Sequence, residues 1–161
     1  MKMSSGVEWA LHSCVTLSQS HEPVPAARLA ELHGTPPAYT AKHLQALSRA
    51  GIVHSTMGQV GGYTLTRPAS EISALEVVQA IDGDEPAYRC AEIRQRGPLG
   101  IPAERCSRPC AIARAMTAAQ DAWSRALAQL SIADLAADID ADSNGTAMPD
   151  IRRWLTTARV R

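Results

Sequence analysis

Apolar residues in the first stretch of the chain recur at helical rather than strand spacing, with Val7, Leu11, Cys14, Val15 and Leu17 along "SGVEWALHSCVTLSQS". The pattern predicts a first helix with Ser4 or Ser5 as its N-cap. After "HEPVP", Pro25 is placed to open a short second helix, "AARLAELH", and Gly34 to close it in the left-handed conformation that helix ends favour. A third helix follows at once. Thr35 is its expected N-cap, Pro36 and Pro37 fill the first turn, Leu44 and Leu47 point inward, and Gly51 stops it. Two short helices joined by a tight turn, the second better formed, make a helix-turn-helix pattern.

The pattern then changes character. "IVHST" and "GYTLTRP" are β-prone runs flanking "MGQVGG", whose glycines allow the positive φ angles of a hairpin tip, so a wing is expected here. "SALEVVQAI" is helical again, and Ser73 with Glu76 three residues on forms a capping box. Beyond an irregular stretch, "AIARAMTAAQDAWSRALAQL" contains no Gly or Pro and repeats Ile112, Met116, Ala119, Trp123, Leu127 and Leu130 on one face. That face suits dimerisation. The end of the chain has a linker-like break, "DSNGTAMPD", and a basic segment, "IRRWLTTARVR", which the pattern assigns neither to the body nor to solvent. The predicted fold class is therefore mainly α with a small β-hairpin wing. A winged helix-turn-helix covers residues 1–88, a cysteine-bearing loop 89–110, a dimerisation helix region 111–140 and a basic tail 141–161.

A chain of 161 residues suits one domain, or one domain with a dimerisation arm. Charge balances at 16 basic against 16 acidic residues, so only local patches, not the overall field, can favour nucleic acid. Residues 68–88 carry Glu71, Glu76, Asp82, Asp84 and Glu85 without a cation, whereas residues 89–114 carry Arg89, Arg94, Arg96, Arg105, Arg108 and Arg114 against Glu92 and Glu104. The loop reads as a basic lid. With no long apolar run and no signal-peptide core, a soluble, cytoplasmic protein is expected. In that reducing compartment Cys90, Cys106 and Cys110, clustered in "CAEIRQRGPLGIPAERCSRPC", point to a metal or redox centre before structural disulfides. Their spacing lacks the paired C-x-x-C knuckles of structural zinc. The chain has no phosphate loop, nucleophile elbow or metalloprotease helix, so an enzyme is not expected.

For DNA, the N-terminal half of the third helix offers Pro37, Tyr39, Thr40, Lys42 and His43. Tyr39, Thr40 and His43 are expected at base edges, and Lys42 and Arg49 at phosphates.

The run from "LAELHGTPPAYTAKHLQALSRAGIVHSTMGQVGGYTLTRPASEISALEVVQAIDG" through "CAIARAMTAAQDAWSRALAQLSIADL" resembles the winged-helix iron–sulfur transcription regulators that include IscR and NsrR. The resemblance implies a homodimer with crossing long helices, a double-stranded DNA operator with two half-sites, and a cluster beneath the loop. In the wing, members often carry Arg before the first glycine where this chain has Met57, leaving Gln59 and the backbone around Gly61 and Gly62 as substitutes. Cys90 and Cys110 match the first and last family cysteines, while the unevenly spaced Cys106 has no clean counterpart and stays a possible ligand. In NsrR-like members a carboxylate on helix one reaches in from the other subunit, and Glu8 falls at the matching place. His12 lies about one turn further along the same face. The implied ligand set is Glu8, His12, Cys90 and Cys110, whose mixed chemistry suits a 2Fe-2S cluster.

The expected function is a redox sensor in which cluster oxidation state controls operator affinity. Alternatives are a nitric oxide or iron–sulfur status sensor, and a cluster-free thiol switch that pairs Cys106 with Cys110 to regulate binding to DNA or an enzyme. Cys14, on a different helical face from His12, is expected as a buried structural thiol, and His33 and Trp9 as packing residues.

Overall fold

Leu44 and Leu47, the inward pair of the third helix, lose all solvent contact in the computed structural model, which describes residues 3–58 and 61–157. They sit on α3 (Pro37–Arg49), which packs against α1 (Ser5–Leu17), α2 (Ala26–His33) and α4 (Ala74–Asp82). The hairpin strands β1 (Val53–Thr56) and β2 (Gly62–Leu65) lie between α3 and α4 in the chain. The C-terminal part comprises α5 (Ala111–Ala128), α6 (Ile132–Asp142) and α7 (Ala147–Thr157). One core joins all of these elements except α5: Leu17, Leu29, Leu44, Ile52, Val77 and Ile132 are all fully buried.

Helix ends follow local chemistry. Gly34 takes φ 63° and Gly51 φ 72°, and each sits in a double-bonded C-terminal turn. In the second, the Gly51 amide donates to Ser48 O at 3.0 Å and the Ile52 amide to Leu47 O at 3.0 Å, which directs Ile52 and Val53 into the core. At the N-termini one expected cap is displaced, and the other stands in place without a side-chain cap bond. Pro36, not Thr35, is the N-cap of α3, because the Thr35 hydroxyl instead pairs with the Thr40 hydroxyl at 2.6 Å. Ser4 occupies the N-cap of α1 without capping it, since its amide and hydroxyl both donate to Asp82. The Ser73–Glu76 capping box forms as expected, and Glu76 also pairs with Arg67.

β1 and β2 pair antiparallel with Val53 opposite Leu65 and Thr56 opposite Gly62. Val24 adds a third chain to the edge: its amide donates to Tyr63 O at 3.0 Å, and the Tyr63 amide donates back at 2.9 Å. That approach requires glycine at position 62, where a Cβ would lie 2.5 Å from the Val24 carbonyl carbon.

The region 111–140 holds two helices. α5 stops at Ala128, and Ser131 starts α6 with a second capping box to Asp134. The Ala74 amide donates to Leu130 O at 2.7 Å and the Ile132 amide to Ile72 O at 2.9 Å, so α6 is stitched to the start of α4 and returns to the core. The 141–161 segment also folds onto the body as far as it is described. α7 buries Met148, packs Ile151 and Leu155 on the core, and lays Trp154 under the Arg28 guanidinium at 3.5 Å. Pro149 falls in the first turn of α7, where a missing amide donor costs nothing.

Replacing Gly62 by Ala should destabilise the protein by about 1–3 kcal/mol, because backbone rather than a flexible side chain must yield. Met148→Ala should cost about 2 kcal/mol if α7 belongs to the cooperative core. Urea unfolding tests both, and a Met148→Ala protein as stable as wild type would mean that α7 is only loosely attached.

Candidate nucleic-acid interface and cysteine site

The exposed face of α3 is set by what its other face must bury. Thr40, Leu44 and Leu47 face inward, so Ala38, Lys42, Gln45 and Arg49, at spacings of four, three and four, face solvent. Pro37 is exposed at the tip of the helix. Three expected base readers are placed differently. Thr40 is buried and hydrogen-bonded to Thr35, which removes it from any groove-facing role. His43 is half-buried with its ring edge-on to Tyr39 at 4.3 Å, its Nδ1 2.8 Å from Tyr39 O. The Tyr39 hydroxyl lies 3.2 Å from Ser5 Oγ, so both rings face the head of α1. Gln45 was missed by the sequence reading although its position, three after Lys42, follows from the helical period.

At the wing, Met57 is fully exposed. The Gly61 amide donates to Gly58 O at 3.0 Å within the turn, and Gly62 is committed to packing on Val24. Gln59 lies outside the described residues.

Cys90 and Cys110, 20 positions apart, bring their sulfurs to 3.6 Å. Cys110 is the N-cap of α5, and its sulfur accepts from the Ala113 amide at 3.2 Å. That amide is the main reason the Cys110 thiol is held below its ordinary range. The Glu92 amide donates to Cys90 Sγ at 3.4 Å, and Arg94 joins Glu92 through its Nε at 2.7 Å. Cys106 follows a 3₁₀ turn, Ala103–Arg105, rather than lying on a helix with Cys110. The expected Cys106–Cys110 pairing is therefore replaced: the thiol brought close to Cys110 is Cys90. Tyr88 stands beside them, its phenol pushed up by desolvation and then by the charges of Cys90 and Cys110.

Two sulfurs at this distance fit a shared metal. Tetrahedral thiolate ligands at bonds of about 2.3 Å sit roughly 3.8 Å apart. A disulfide would need about 2.05 Å. Glu8 and His12 are elsewhere on the same chain, exposed on one face of α1, where they line a cavity of about 140 Å³ with Leu11, Val15, Leu135 and Ile139. His12 lies 5.8 Å from the ring of His33, and His33 is also 3.3 Å from Thr16 Oγ1. Burial, then the charge of His12, lowers the His33 pKa. Among the described residues no single chain gathers three or more His, Cys, Asp or Glu side chains into a metal-holding group. Cys14 is fully buried and its thiol pushed up to about 12 by desolvation, in keeping with an inert core residue.

A family model described as Rrf2, iron-dependent transcriptional regulator, matches residues 3–138. YwgB of Bacillus subtilis, named as an HTH-type transcriptional regulator, is 32% identical over 136 residues, covering 82% of each chain. The HTH-type transcriptional repressor NsrR of Streptomyces coelicolor is 29% identical over 140 residues, which cover 85% of this chain and 89% of that one. The solved structure of CymR, the global cysteine regulator of B. subtilis, aligns with a TM-score of 0.62 at 22% identity, covering 85% of this chain and 97% of that one, a likeness of fold. With its winged helix-turn-helix and family match in agreement, the chain belongs to the Rrf2 family of DNA-binding transcriptional regulators.

Proposed function

We propose that this regulator binds its operator as a homodimer whose DNA affinity is set by the oxidation state of a 2Fe-2S cluster. Cys90 and Cys110 of one subunit would hold one side of the cluster, and Glu8 and His12 of a second copy the other. The observation that carries this reading is the 3.6 Å approach of the two sulfurs at the head of α5. α5 buries only Ala113 within its own chain and leaves Ile112 and Met116 exposed, a face suited to a second subunit. A cluster bound there supplies a one-electron redox change.

The protein's own contribution is to make that change felt at α3. Glu8 and His12 sit on α1, and the head of α1 touches the recognition helix directly. Ser5 meets Tyr39, and Gly6 packs so closely on His43 that a Cβ there would lie 2.4 Å from its Nε2. Tyr39 and His43 thus serve as the joint between the ligand-bearing helix and the DNA-reading helix. Lys42, Gln45 and Arg49 meet DNA, Lys42 and Arg49 at phosphates. A two-fold dimer places two such faces on half-sites about one helical turn, or a multiple, apart.

A second reading uses the same pair. Without a cluster, Cys90 and Cys110 are close enough to act as a dithiol switch after a small closing movement. A sensor of nitric oxide or of iron–sulfur supply would share the ligand set and differ in its signal.

Anaerobically purified protein should contain about two irons and two acid-labile sulfides per subunit. Cys90→Ser and Cys110→Ser should lose them, whereas Cys106→Ser should keep them. Oxidised and reduced protein should then differ in operator affinity by about tenfold. Equal affinities sink redox sensing, and protein free of iron and sulfide under anaerobic handling leaves the dithiol switch.

Lys42→Ala and Arg49→Ala should each weaken binding across sequences and reduce the salt dependence by about one unit of slope. Thr40→Val should instead cost about 1 kcal/mol of stability and leave affinity unchanged. Filter binding at several salt concentrations, paired with urea unfolding, separates the two classes.

A further inference from the structure

The stretch between α4 and α5 has only two single 3₁₀ turns, Ile93–Gln95 and Ala103–Arg105, to give it shape, and most of its side chains are exposed. Arg94 and Glu92 stand apart, with side chains 25% and 39% exposed. We propose that the Glu92–Arg94 ion pair, anchored on the Arg108 carbonyl, is the positioning device that holds Cys90 and Cys110 together as one two-thiol site. The proposal rests on reading those two cysteines as ligands.

The contacts form a continuous path. The Glu92 amide donates to Cys90 Sγ at 3.4 Å, and that sulfur lies 3.8 Å from Glu92 Oε1. Arg94 grips the same carboxylate with both arms, Nε to Oε2 at 2.7 Å and Nη2 to Oε1 at 3.4 Å. Its Nη2 also donates to Arg108 O at 2.5 Å, and Arg108 lies two residues before Cys110. The Ile101 amide donates to Arg94 O at 2.8 Å, fixing the middle of the loop to the same residue. Arg94 therefore ties the segment after Cys90 to the segment before Cys110.

Backbone geometry agrees. Glu92 takes φ 49°, a left-handed conformation that residues other than glycine adopt infrequently, and its amide and carboxylate are both engaged there. Separation matters too, because 20 positions of irregular chain would otherwise have to lose loop freedom each time the two sulfurs met. Charge gives the pair a further role. A carboxylate alone beside Cys90 would repel a thiolate; the guanidinium offsets it. Lysine cannot take over, since one ammonium lacks the planar fork that spans both carboxylate oxygens and a carbonyl.

The test uses the full chain, reduced, metal-free and anaerobic, titrated with cobalt(II), whose thiolate charge-transfer band reports sulfur ligation. Cys90→Ser and Cys110→Ser should each diminish the band in wild-type background. Arg94→Gln and Glu92→Gln should each weaken cobalt binding by roughly ten- to a hundredfold and lower the band per bound metal, as loss of an outer-shell partner does. Arg94→Lys should fail to restore it, and Arg96→Gln, in the same loop, should match wild type. Circular dichroism and the thermal midpoint establish that the variants are folded; should Arg94→Gln be unfolded, Glu92→Gln carries the comparison. Folded Arg94→Gln and Glu92→Gln proteins with wild-type affinity and band overturn the positioning role while leaving the two-thiol site standing. A band that survives both serine substitutions overturns the two-thiol site and the proposal with it.

Discussion

Everything in this fold leans on the buried face of α1. Ala10 and Cys14 have no exposed surface and Leu17 almost none, because α1 is packed by α3, α4, α6 and β2 at once. Burying side chains of this size is worth about 1.5–3 kcal/mol each for the larger ones, so the helix cannot easily rotate or slide within its seat. Its opposite face is left for Glu8 and His12. A helix central to the core on one side and carrying an exposed carboxylate and imidazole on the other is suited to act as a lever, since force applied to the exposed face is resisted by the same contacts that fix α3.

Charge placement follows a similar division. The stretch 89–114 is strongly basic in sequence, and three of its six arginines are engaged nearby: Arg89 with Glu85, Arg94 with Glu92 and the Arg108 carbonyl, Arg114 with Pro109 O. These contacts brace the loop around the thiols but leave it net basic, since Glu92 and Glu104 are its only carboxylates. In a chain of zero net charge only local patches can attract DNA, and Lys42 and Arg49 form one such patch on the exposed face of α3.

What could be read from the sequence was what depends on neighbours in the chain. The glycine stops at Gly34 and Gly51, the Ser73–Glu76 box and the hairpin all follow from local backbone chemistry, and they formed where expected. Thr40 was grouped with the DNA-facing residues for its place in the N-terminal half of α3, although its spacing to Leu44 and Leu47 already put it on the inward stripe. Tyr39 and His43 could not be placed by period alone, for their partners, Ser5 and Gly6, are more than thirty positions away. α7 was obscured by Gly145 and Pro149, two breakers that here end one helix and sit harmlessly in the first turn of the next. The proximity of Cys90 to Cys110 is a matter of tertiary closure. No spacing rule could have preferred it over the four-residue step from Cys106 to Cys110.

The contact between Gly6 and His43 explains why small changes at α1 need not be absorbed locally. Glycine at that position removes the side chain that would otherwise cushion the approach, leaving backbone against an imidazole. The imidazole is itself held twice, by the Tyr39 carbonyl and by the Tyr39 ring. Close-packed interiors have little free volume, so a displacement of α1 must move His43, and with it the turn of α3 that carries Lys42. A side chain at position 6 would collide with the imidazole and push the two helices apart, whereas a smaller residue at 43 would put compressible space into that joint. In the proposed regulator, the coupling between the Glu8–His12 face of α1 and the exposed face of α3 depends less on any one strong interaction than on the absence of slack between two helices.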